Sequence, residues 1–170
     1  KSYKLLVVHQ STEKRKINFK DKKKIITFVG KLNRAKGYDV FGEAVTRILN
    51  EFKQWKAAVI GDEEREKIYF NHENLNILGF QNHKKVINIF KESSISVVCS
   101  RWEEPFGRTS LESSSCGCAV IITNRGGLPE TITNGIILNN LTVENVYNSI
   151  KKLIKNSSYR KSLQKKSVEN

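Results

Sequence analysis

Methionine is missing from this 170-residue sequence, at position 1 as everywhere else, so the chain is expected to be a fragment, an excised domain or a processed product. Cysteine is sparse: Cys99, Cys116 and Cys118 are odd in number and contain no CxxC pair. That excludes a disulfide framework and points to reduced thiols in a cytosolic compartment. The three histidines, His9, His72 and His83, form no HExxH and do not pair with the cysteines, so no protein-bound metal is expected. No run approaches the roughly 18 apolar residues of a membrane span, and no signal peptide heads the chain. Also lacking are the P-loop ending Gly-Lys-Ser/Thr, a G-x-G-x-x-G fingerprint and a G-x-S-x-G elbow, which sets aside three common enzyme chemistries. Aromatic residues make up 9%, and no recognised motif interleaves them with basic residues, which argues against a nucleic-acid-binding module. There are no internal repeats and no low-complexity tracts.

What the sequence does have is positive charge. Lys and Arg number 30 against 17 Asp and Glu, a net charge of +13. Such a balance favours anionic partners: nucleic acid, acidic lipid headgroups or phosphorylated substrates. Residues 11–24 hold seven Lys/Arg in fourteen positions and read as a solvated connection, with contact to an acidic membrane surface as the alternative. We divide the chain into a basic linker over 1–24, with a short strand at 3–9, and one domain over 25–170. That length supports a sizeable core.

From Lys24 onward, apolar runs alternate with helical spacing. Residues 25–29 are a continuous apolar run closed by Gly30, as in a buried parallel strand. Further strands are expected at 56–60, 75–78, 95–99, 119–122 and 136–138. Helices are expected at 38–52, 63–70, 83–91, 109–115, 143–154 and 158–168. This alternation predicts an α/β fold: a doubly wound, mostly parallel Rossmann-like sheet with helices on both faces. Ligands of such sheets bind beyond the carboxyl ends of the strands, so the loops there carry the candidate site. A receiver-like or flavodoxin-like regulatory module would share the alternation. It would call for an acidic pocket or a flavin-binding loop after the first strand, where this sequence has Gly30-Lys31.

One stretch, Glu104-Pro105-Phe106-Gly107-Arg108-Thr109-Ser110-Leu111-Glu112, must turn a loop into a helix. Pro105 disfavours the helical region for Glu104, and Gly107 frees the backbone for close approach. The helix start offers bare N–H groups and a positive dipole end, which suit a phosphate. Glu104 in front of it and Glu112 further in are acceptors for hydroxyls, a combination that fits a phosphorylated sugar. Against this, Thr109-x-x-Glu112 is itself a capping box, in which Glu112 only caps the helix. Lys31 and Lys36 follow the first strand, where lysines neutralise a diphosphate leaving group. Two lysines among so many are as readily solvated. Cys116 and Cys118 read as small buried residues at a helix–strand junction.

Four motifs, in order over roughly residues 25–155, resemble those of the retaining glycosyltransferases of group 1, also called family 4. Glu104 and Glu112, with seven residues between them that include Phe106-Gly107, are similar to that family's signature. Cys116-Gly117-Cys118-Ala119-Val120-Ile121 resembles its G-x-P-V-I stretch, and Asn124 to Glu130 its GG-x-P-E loop. Phe28-Val29-Gly30-Lys31-Leu32 with Lys36-Gly37 resembles its VGRL…KG, with lysine at 31 replacing the commoner arginine. Charge is kept there, but the planar fork is lost.

The resemblance implies the C-terminal, nucleotide-sugar-binding half of a GT-B architecture. It implies transfer of a sugar, with retention, from a nucleotide diphosphate sugar to a glycan, lipid-linked or other acceptor, without a cofactor or protein-bound metal. Glu104 would hold donor-sugar hydroxyls, with Lys31 and Lys36 stabilising the leaving phosphates beside Gly30. Backbone at Phe106 and Gly107 would line the sugar, and the N–H groups of Arg108 and Thr109 would meet the diphosphate. Glu112 would take the ribose hydroxyls. Gly79-Phe80-Gln81 marks where the base would rest, though Phe80 equally suits the core. Gly126 and Gly127 allow close backbone approach or a tight turn, with Arg125 and Glu130 as neighbours of no assigned role. An N-terminal acceptor-binding domain of the same polypeptide is implied, so this piece alone is expected to bind donor weakly and transfer little. The implied setting is polysaccharide or lipopolysaccharide biosynthesis in the cytoplasm, at or near the inner face of the membrane, with no nucleic-acid partner.

Overall fold

The apolar runs pair side by side. In the computed structural model, which describes residues 11–13 and 15–168, they form a single six-stranded sheet. Its strands are β1 (Lys23–Val29), β2 (Lys56–Ile60), β3 (Leu75–Ile77), β4 (Ser93–Val98), β5 (Ala119–Thr123) and β6 (Ile136–Leu138). They lie in the order β3-β2-β1-β4-β5-β6, with every pair parallel. The strand expected over 3–9 lies outside the described residues.

Parallel strands connected by helices are covered on both faces, which is why their sequences are apolar without alternation. Successive residues of one strand enter different cores. Ile26 and Phe28, Ala57 and Val59, Ile95 and Val97, and Ala119 and Ile121 face α1 (Tyr38–Glu51), α4 (Val143–Lys155) and α5 (Ser157–Lys166). Ala58 and Ile60, together with Val120 and Ile122, face α2 (His83–Glu92) and α3 (Arg108–Ser115).

The helix expected over 63–70 does not form. Ile68 and Phe70 pack against the α1 core while Tyr69 between them is exposed, a period of two rather than 3.6. The Phe70 ring stands edge-on to Tyr38, at 5.6 Å between centroids. It occupies the space where a Cβ on Gly42 would come within 2.0 Å of it. Glu63 and Glu66 accept from Asn33 (2.9 Å) and Arg34 (2.8 Å) instead of pairing along a helix. Tertiary docking outweighs a helix-forming composition here.

Arg15 and Lys22 also depart from the solvated connection read from the charge of residues 11–24, while Lys16 and Lys20 between them stay exposed. Lys22 Nζ donates to three backbone carbonyls, Phe90 (2.9 Å), Ser93 (2.8 Å) and Cys116 (2.7 Å), at the carboxyl ends of α2 and α3. A cation suits those helix ends. Arg15 Nη1 donates to Ser115 Oγ at 3.0 Å.

β1 pairs with β2 on one side and with β4 on the other, so the chain winds away in opposite directions from this point. The loops after β1 and β4 part here, and a doubly wound sheet opens its crevice where they do so.

Candidate functional site

A cavity of about 290 Å³ occupies that crevice. Gly30 and Lys36 line it from the loop after β1, Glu104 and Phe106 from the loop after β4, and Gly107, Arg108 and Thr109 from the start of α3. The two loops are tied together beneath it. Arg101 reaches Asp39 with two bonds of 2.6 and 2.9 Å, and its Nη1 also donates to the Arg34 carbonyl. The Arg101 N–H donates to the Ala35 carbonyl at 2.8 Å. Burial pushes the Asp39 carboxyl up, but the Arg101 hydrogen bond and charge outweigh it and hold the group below its ordinary 3.8. Gly37, with φ at +74°, lies so close that a Cβ there would stand 1.9 Å from the Cys99 carbonyl oxygen. The Cys99 thiol is pushed up to about 12 by burial, so it supplies no thiolate.

Lys36 Nζ bonds Glu104 Oε1 across the cavity. Both are sheltered, the Glu104 side chain being 14% exposed. Beside them α3 begins at Gly107, which has φ at +105° and is therefore left-handed. No side chain caps it; Ser110 Oγ donates to the Gly107 carbonyl at 2.7 Å rather than accepting from an amide. The first N–H groups of the helix thus have no side-chain cap, and the residues that carry them, Arg108 and Thr109, line the cavity. Thr109 is inside the helix and is not its cap, so the Thr109–Glu112 capping box does not form. The Glu112 carboxylate instead bonds His83 Nε2 at 3.1 Å and accepts from Arg108 Nη2 at 3.2 Å. Its side chain, 12% exposed, lines an adjoining cleft that shares Arg108 with the first.

Other candidates fall elsewhere. Lys31 is exposed and does not line the cavity. Phe80 is 76% exposed, which removes the core reading for it; neither it nor Gln81 lines the cavity, and Gln81 Nε2 donates to the Leu78 carbonyl at 2.5 Å. Gly126 and Gly127 press on the backbone of residues 103–106. A Cβ on Gly126 would stand 2.2 Å from the Glu104 carbonyl oxygen, and the Gly127 N–H donates to that oxygen at 2.7 Å. Arg125 Nη1 and the Gly126 N–H both bond the Glu103 carboxylate, at 3.0 and 2.5 Å.

Sequence reasoning missed the Arg101–Asp39 tie, the Glu103 anchor and His83. Each is a contact between distant segments, with no local spacing to announce it. Among the described residues no group of three or more His, Cys, Asp or Glu could hold a metal ion, and no helix is long and apolar enough to cross a membrane.

The class these features define is a doubly wound, Rossmann-like α/β domain with its crevice at the carboxyl edge of the sheet. The chain belongs to the family described as glycosyl transferases group 1, whose family model matches residues 9–169. It is 30% identical over 127 residues to spore coat protein SA of Bacillus subtilis, covering 66% of this chain and 33% of that protein. It is likewise 30% identical over 136 residues to D-inositol 3-phosphate glycosyltransferase of Corynebacterium jeikeium, covering 72% and 32%. The chain thus spans about a third of the length of these curated relatives. Among solved structures, the C-terminal domain of a glycosyl transferase group 1 family protein (LpcC) from Francisella tularensis matches with a TM-score of 0.77 at 24% identity, over 85% of this chain and 82% of that one. Anabaena Alr3699/HepE in complex with UDP-glucose matches with a TM-score of 0.75 at 18% identity, over 86% and 43%. At these identities the likeness is one of fold.

Proposed function

We propose that this chain is the donor-binding domain of a retaining glycosyltransferase that takes a sugar from a nucleotide diphosphate sugar. The observation that carries the reading is the uncapped start of α3. It opens into the cavity that holds Lys36 and Glu104, with Glu112 one helical turn further on. Bare amides at a helix start, with the dipole behind them, bind a diphosphate. The acceptor's hydroxyl oxygen forms the new bond to the sugar carbon as the bond from that carbon to the phosphate oxygen breaks, and its proton passes to the departing diphosphate. The negative charge that collects on the diphosphate is stabilised by the α3 amides and Lys36. Glu104 exchanges its bond to Lys36 for the sugar hydroxyls, and Glu112 accepts from the ribose. The acceptor would be bound by an N-terminal domain of the same polypeptide. The UDP-glucose held by Anabaena HepE supports the ligand class.

Calorimetry with a panel of UDP-, GDP- and ADP-sugars tests this. One nucleotide class binds, and Glu112→Gln weakens it by about 1–3 kcal/mol, the value of a hydrogen bond to a charged group. Unchanged affinity in the variant would contradict the assignment.

A second reading, contact with an acidic membrane, has its own observation. Lys16, Lys20 and Lys91 are exposed around one cleft at the amino ends of β1 and β4, the edge of the sheet opposite the crevice, where Asp21 also lies and Glu92 is taken up by Lys23 at 2.7 Å. Lysines near an anionic surface each contribute about 1 kcal/mol. Co-sedimentation with phosphatidylserine vesicles, lost when these lysines become glutamine, is the expected result; equal sedimentation with neutral vesicles would contradict it.

A further inference from the structure

Glu112 is held by two groups on different helices, and both use the same oxygen. Arg108, one turn earlier on α3, donates to Oε1, and His83 Nε2 of α2 meets that same Oε1. A carboxylate so sheltered needs partners, and Oε1, engaged twice, is pinned in place, while Oε2 has no bond to any other described residue and stays available as an acceptor. Arg108 alone would not fix it, because the two share one helix and move together. His83 supplies the bond between helices. It is the first residue of α2, directly after the 79–82 loop, and helix capping there belongs to Asn82, which accepts from the Lys85 N–H at 3.0 Å. The His83 side chain is 62% exposed, so it fills no core space and caps no helix.

We propose that His83 is a positioning residue that orients Glu112 toward the ribose and thereby sets how strongly the domain prefers a ribonucleotide. This rests on the donor-binding reading above. It adds that discrimination at the ribose depends on a residue of α2, which continues directly from the loop where the base is expected.

The test uses the 170-residue chain, whichever of UDP, GDP and ADP it binds most tightly, and the 2′,3′-dideoxy form of that nucleotide. The wild type prefers the ribose form by about tenfold or more, the value of a hydrogen bond to a carboxylate. In His83→Ala that ratio falls to about threefold or less, and in His83→Gln, whose amide nitrogen reaches the same place, it returns to within about twofold of wild type. Thermal unfolding of each variant checks that the fold is kept. A purely structural role would lower affinity for both ligands equally and leave the ratio alone; that result, or an unchanged ratio in His83→Ala, overturns the inference. Binding of none of the three diphosphates by the wild type would instead overturn the donor-binding reading, and this inference with it.

Discussion

Glu104 and Lys36 pair with each other across the crevice, so neither residue can be understood alone. A sheltered carboxylate needs a partner, and the lysine supplies one. If Glu104 serves the sugar and not the nucleotide, its removal has a selective signature. Glu104→Gln should lower affinity for the nucleotide sugar by about 1.5–3 kcal/mol, roughly a tenfold loss or more, while leaving the bare nucleoside diphosphate within about threefold of wild type. Competition binding with the two ligands reads this directly. An equal loss for both would reassign Glu104 to holding the loop. The residue types at 36, 104, 107 and 112 were legible in the sequence because one helix start and one strand end fix them locally. The capping-box alternative was settled only by the position of the helix boundary, since Gly107 rather than a side chain opens α3.

At the scale of elements, the crevice is a set of loops clamped to one another. The Gly126-Gly127 turn lies against residues 103–106 with no room for a side chain. Gly126→Ala places a Cβ on a left-handed residue, φ +52°, against the Glu104 backbone, so it should cost about 1–3 kcal/mol of stability and weaken donor binding without touching donor. Denaturant unfolding alongside binding measures both. The Asp39–Arg101 clamp adds a pH dependence. Because the folded carboxyl is held below its ordinary 3.8, its contribution is fully present above that value and is lost as pH falls through the lower, folded one. The stability gap between wild type and Asp39→Asn should therefore be constant near neutrality and close below about pH 4 in thermal melts; a gap that widens on acidification contradicts the sign. Strands and most helices were legible because each is marked locally, the strands as short apolar runs and the helices by apolar residues at 3.6-residue spacing. The segment 63–70 was not, because its charged, helix-forming residues are claimed by Asn33 and Arg34 on another loop.

For the whole molecule, the winding order decides what the sequence could only arrange in a line. The order β3-β2-β1-β4-β5-β6 brings residues 30–36 and 104–109, some seventy positions apart, to the two lips of one crevice. It sends the lysines of residues 16–23 to the opposite edge of the sheet. Net positive charge was visible from composition, but its division between the two edges was not. The proposed function requires the nucleotide diphosphate to lie in the crevice between β1 and β4. Backbone amide NMR of the isotope-labelled chain, titrated with the nucleotide sugar that calorimetry selects, tests that most directly. The largest shifts are expected at Arg108 and Thr109, with Gly30, Lys36 and Glu112 following and Lys20 and Lys91 unmoved. Shifts centred on the basic edge, with Arg108 and Thr109 silent, would contradict the proposed function.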